Sequence, residues 1–207
     1  MGYTDITGIF RQAGDVNAQL TIAQLKTTNP DPKLDSGRRV QVSDGRIFVY
    51  SQTSALTGDD LFVVTPANST GRFLLAPGPQ KIPLPIAFGT ADAAVLGTLP
   101  TGCNIRVQRC YWEVTTGFTG GSASAIGLSS NNTAHNTKGD LHGGAAGDVA
   151  ATLVPGTAIA GTIGANIAAG VILVPTNTLR FDRITSAFTA GAGTLHVLAD
   201  VLTNPGA

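Results

Sequence analysis

The sequence predicts a mainly β protein: a small N-terminal α+β unit of one short helix and a β-meander, followed by an antiparallel β-sandwich or jelly roll. Three observations carry this. Turn formers punctuate the whole chain, with 26 Gly and 11 Pro in 207 residues. Between them lie short runs of Val, Ile, Leu and Phe that alternate with polar residues, the period of half-buried strands. Only one segment carries helix signals.

That segment is Asn17 to Thr27, with apolar Leu20, Ile22 and Leu25 and with Asn17 or Thr21 as cap. Pro30 and Pro32 end it, because neither can continue a helix. "RRVQVSDGRIFVYS" then reads as a hairpin. Val40 and Val42 precede an Asp44-Gly45 turn, Ile47 and Val49 follow it, and Asp-Gly supplies the positive φ of a tight turn. "LFVVT" and "RFLL" add two strands and complete a unit over residues 1–77. Residues 78–85 lie in the Pro-rich "APGPQKIPLP" and read as a stiff linker.

Residues 86–207 read as the sandwich. With Lys81–Phe88, which overlaps the linker, the candidate strands are Ala94–Leu99, Asn104–Thr116, Ser124–Leu128, Val149–Val154, Val171–Val174, Thr178–Ile184 and Thr194–Leu202. The polar stretch Ser129–Asp148 has the length of a contact element or a mobile loop. The tract Ala158–Gly170 reads as an irregular strand pair or a segment packed on a neighbouring subunit.

Asn104–Thr116 holds both cysteines' neighbourhood, the only Trp and the only Glu. Ile105 and Val107 share one parity; Cys110, Trp112 and Val114 have the other. A β-bulge near Gln108-Arg109 would turn both sets into one core. Cys103 and Cys110 are about 23 Å apart along an extended strand, too far for a mutual disulfide, which needs Cα atoms within about 7 Å. They read as buried thiols, or, for Cys103 at the strand's mouth, as a bond to a neighbouring subunit. Glu113 is expected to face out and pair with Arg106 or Arg109 of this or another chain. These two arginines, Cys103 and Trp112 are the interaction candidates.

Charged residues are 13% of the chain and the net charge is zero. Neither nucleic acid nor a membrane surface is indicated as a partner. No apolar run approaches the ~18 residues of a membrane span, and the N-terminus lacks a signal-peptide pattern. Few charges and many small polar residues suit extensive contact with other chains. There is no nucleophile elbow, P-loop or carboxylate pair placed across a cleft, so no enzyme and no cofactor are expected. His135, Asp140 and His142 are weak metal candidates, since their spacing matches no helical or hairpin ligand pair; solvated loop residues are the plainer reading. His196 reads as a half-buried strand residue.

Two segments resemble bacteriophage virion proteins. "TIAQLK…DSGRRVQVSDGRIFVYSQTSALTGDDLFVVTPANSTGRFLL" resembles a segment near the N-termini of phage tail spikes. The resemblance rests on Leu25, Gly37, Val40, Val42, Phe48, Val49, Tyr50, Ser54, Asp59, Asp60, Val64, Pro66, Gly71, Arg72 and Phe73. Leu99-Pro100-x-Gly102, then Val114, Thr115, Phe118, Gly120, Gly121, Ile126 and Gly127, and last Thr189, Ala190, Gly191, Gly193, Thr194 and Val197 resemble a β-sandwich module of phage head decoration proteins, head fibres and tail-fibre segments. The resemblance implies a virion structural protein that binds the particle through partners such as the major capsid protein and self-associates, with a trimer favoured. Its location would be the virion, assembled in the host cytoplasm. A tail-associated adaptor or short tail fibre is the first alternative. A carbohydrate-binding module is the second, and Trp112 is its sole strong aromatic.

Overall fold

Thr21 opens helix α1 (Ile22–Thr27) with a reciprocal cap. Its hydroxyl accepts the Gln24 N–H at 3.2 Å, and Gln24 Oε1 accepts the Thr21 N–H at 2.9 Å. Such a box satisfies two of the helix's orphan donors. The computed structural model describes residues 20–30, 36–67, 69–121, 124–144, 147–156, 158–164, 167 and 170–206. Asn17, the other candidate cap, and the first part of the 1–77 unit lie outside them.

The N-terminal sheet comprises β1 (Arg39–Gln41), β2 (Ile47–Ser51), β3 (Val63–Val64) and β4 (Arg72–Leu75). The Asp44-Gly45 hairpin forms as expected, with Gly45 at φ 93° and Val40 opposite Phe48. The strand order is β1-β2-β4-β3, so the expected meander is corrected. β3 spans two residues, and β4 takes the place beside β2, pairing with both. Phe48 and Tyr50 are fully buried, whereas Ile47 and Val49 are only half-buried.

Several residues that resemble the tail-spike segment have a structural task. Asp59 Oδ1 accepts the N–H groups of Leu61, Phe62 and Val63 at 2.8–2.9 Å. Arg46 donates to the Asp60 and Leu61 carbonyls. A Cβ on Gly71 would lie 2.5 Å from the Ser51 carbonyl oxygen. Phe73 packs on Tyr50, with ring centroids 5.3 Å apart.

Residues 78–85 are not a linker. They lie in β5 (Gly78–Ala87), the edge strand of a sheet that also contains β7 (Asn104–Gly120), β10 (Ala158–Ile159), β11 (Val171–Leu173) and β13 (Phe188–Thr203). β5 pairs with β13 along its whole length. Pro79, Pro83 and Pro85 share one parity, so their missing N–H groups all fall on the side that an edge strand leaves unpaired. Gln80, Ile82, Leu84 and Ile86 take the other parity and are buried.

The facing sheet has the order β6-β12-β8-β9, from β6 (Val95–Thr98), β8 (Ala125–Ser130), β9 (Asp148–Val149) and β12 (Thr178–Ile184). The mainly-β expectation holds, and the two sheets form a sandwich-like pair. The expected strand Val149–Val154 shortens to β9 and a 3₁₀ turn, Ala150–Thr152. The N-terminal unit shares one hydrophobic core with the sandwich, running from Leu25 through Trp112 and Phe181 to Val201. Leu61 packs so closely on β6 that a Cβ on Gly97 would lie 2.4 Å from its Cδ2.

The bulge expected in β7 is present. Leu198 pairs with Arg109 and Ala199 with Val107, leaving Gln108 extra. Gln108 and Arg109 are both exposed, while Ile105, Val107, Cys110, Trp112 and Val114 are all buried. Deleting Gln108 restores plain alternation, so that variant is expected to fold with the near-UV dichroism of Trp112 intact. Deleting Tyr111 turns half the strand inside out, and that signal should vanish.

Within Ser129–Asp148, most of residues 131–138 is exposed, whereas residues 139–143 are largely buried and fold back on β8 and β12. Leu141 is fully buried, His142 bridges Leu128, and Asp182 accepts the Gly139 N–H at 2.9 Å.

Candidate functional site

Two polar clusters flank the sheet that contains β7, one on each face. The inner one forms because Trp112 points into the core and its indole N–H needs an acceptor there. Asp148, at the start of β9, supplies it at 2.8 Å. The other carboxylate oxygen accepts the Thr162 N–H at 2.8 Å. His142 Nε2 lies 2.6 Å from Asp148 Oδ2, and both side chains are almost fully buried. Burial alone would raise the Asp148 carboxyl. His142, the Thr162 N–H and the indole together hold it below its ordinary value. Gly161 is at φ 62°, and a Cβ there would lie 2.5 Å from His142, so only glycine lets this backbone cover the pair.

The outer cluster is built on His196. This histidine lies on the solvent side of β13, yet it is 4% exposed. Tyr111 stacks on it from β7, with ring centroids 4.8 Å apart. Nε2 lies 2.9 Å from Glu113 Oε2, while Nδ1 is buried without a hydrogen-bond partner. Burial holds the imidazole below its ordinary value despite the Glu113 bond, and the Lys81 charge acts in the same direction. The ring is therefore neutral at neutral pH, and Nε2–H is the donor to the carboxylate.

The sequence-predicted residues are distributed as follows. Trp112 is fully buried, so it is a core residue rather than a contact or sugar platform. Cys103 and Cys110 are free and buried, as the first reading had it. Burial, with the Asp59 charge, pushes the Cys103 thiol up to about 12. The intersubunit bond suggested for Cys103 would require this thiol to leave the core. Burial likewise raises the Cys110 thiol, and neither is a reactive thiolate at neutral pH. Glu113 does face out, and within the chain it pairs with His196 rather than with Arg106 or Arg109. Those two arginines are exposed.

The three metal candidates separate. Asp140 Oδ2 accepts the Thr137 N–H within its own turn. The His135 carbonyl accepts the Ser130 N–H, and His142 turns into the core towards Asp148. Among the described residues no group of three or more His, Cys, Asp or Glu could hold a metal ion. Likewise, among them no helix is long and apolar enough to cross a membrane. Sequence reasoning missed Asp148. The signal was there in principle, since a core Trp demands an acceptor.

No family model matches this chain, and neither a curated protein nor a solved structure matches it.

Proposed function

We propose that this is a bacteriophage virion structural protein, a capsid decoration or head-fibre protein that binds the particle and self-associates. The observation that carries the reading is one end of the outer sheet face. The register aligns Ile172, Arg106 and Asp200 across β11, β7 and β13. Ile172, Val174 and Leu202 are each more than 40% exposed there. Arg106 makes no ion pair among the described residues, because Asp200 accepts instead from Gln108 at 2.7 Å. An unpaired arginine among exposed aliphatic residues has the composition of an association surface. The two sequence resemblances and the low charge point the same way.

Light scattering on the purified chain is expected to give an oligomer, a trimer by preference. The double variant Arg106→Ser, Ile172→Ser is expected to shift it to monomer. Antibody labelling of intact virions should place the protein on the head. Label at the tail would favour the tail-adaptor alternative. A wild-type monomer that binds no particle would overturn the proposal.

A further inference from the structure

On the same outer sheet face, two strand rows beyond the stacked Tyr111–His196 pair, lies an open groove of about 440 Å³. Its lining includes Pro85, Ala87, Thr90, Thr115, Ala192 and Thr194, from β5 and the turn after it, β7 and β13. The small side chains make a shallow apolar floor. The hydroxyls offer both hydrogen-bonding senses. Thr90 accepts the Ala87 N–H at 3.2 Å and keeps its own proton to donate. Thr115 donates to the Ala192 carbonyl at 3.1 Å and keeps its lone pairs. The Thr194 hydroxyl has no partner among the described residues.

Glu113 is beside the groove without lining it, directly across from Thr194 and two residues before Thr115. Its side chain is 65% exposed. One carboxylate oxygen is held by His196; Oε1 has no partner among the described residues. Burying an imidazole on the outside of a sheet, with Nδ1 unsatisfied, costs free energy. What that arrangement achieves is to fix one side chain, the only glutamate in a chain that otherwise uses aspartate. We infer that this groove binds a neutral saccharide, with Glu113 Oε1 and the Thr194 and Thr115 oxygens taking its hydroxyls and with Pro85 and Ala192 under its C–H face. A shallow floor, a fixed carboxylate and hydroxyls of both senses suit a neutral polyol. A simple cation would need only the carboxylate, and an anion would be repelled by it.

The test is a printed array of neutral hexose and N-acetylhexosamine oligosaccharides, probed with the full chain, and titration calorimetry with the tightest hit. Glu113→Gln and Thr194→Val preserve shape and should each weaken binding about tenfold or more. Arg106→Ser, at the far end of the face, should leave sugar binding unchanged, so failure here and failure of self-association read separately. Binding lost on these two substitutions supports the site. Binding to no saccharide, undiminished binding in both variants, or binding only of an oligolysine probe would overturn it.

Discussion

Replacing Asp148 by alanine is expected to cost about 2–5 kcal/mol of folding stability, since each buried donor left without an acceptor costs about 1–3 kcal/mol. The Trp112 indole and the Thr162 N–H lose their acceptor, and the His142 ring loses its contact with the carboxylate. Urea unfolding followed by Trp112 fluorescence measures the loss. Asp148→Asn retains one acceptor oxygen and should cost less. Acid acts on the same group. Its folded carboxyl titrates below 3.8, so its contribution is complete above about that pH and is lost as pH falls through the folded value. Asp148→Asn should remove this part of the acid transition. Asp182 has the opposite sign. Burial raises it against its bonds to Gly139 and Ser129, so its contribution declines as pH rises from the unfolded towards the folded value.

Gly139→Val is expected to release the Ser129–Asp148 segment. Gly139 sits at φ 78°, and a Cβ there would lie 2.1 Å from the Gly144 carbonyl oxygen. The left-handed backbone costs a β-branched residue about 1–2 kcal/mol, and the overpacking about 1–3 more. The clash is with backbone, so no rotamer relieves it. Asp182 then loses the Gly139 N–H while remaining buried. Hydrogen exchange should accelerate at Gly139, Leu141 and His142 and stay unchanged in the N-terminal sheet. Unchanged protection at those three amides would show that the segment is held by something other than this turn.

Local features were legible in the sequence wherever one strand carried the whole signal. The Asp44-Gly45 hairpin follows from turn chemistry. The β7 bulge follows from parity alone, since apolar residues on both sides of Gln108-Arg109 must reach one core. The Pro-rich edge strand was misread because its prolines were counted rather than placed. Their alternation with Gln80, Ile82, Leu84 and Ile86 is a strand pattern with every missing donor on one side. The two clusters were illegible for another reason. Trp112 meets Asp148 and Glu113 meets His196 only after strands distant in sequence pair, and no spacing within a strand encodes that. The order β1-β2-β4-β3 was hidden likewise, because a two-residue strand leaves almost no pattern.

The length of β7 and its union with β13 also bear on how the chain is made. Asn104 pairs with Thr203, 99 residues later. β5 waits for the same partner. During synthesis the N-terminal hairpin can close almost as soon as it leaves the ribosome, whereas β5 must stay unpaired, and one edge of β7 open, until residues 188–203 emerge. Long-range pairing of this kind slows folding and leaves apolar strand edges open to neighbouring nascent chains. A single late strand thus gates completion of the sandwich, and the interval before its arrival is when the chain is most exposed to aggregation.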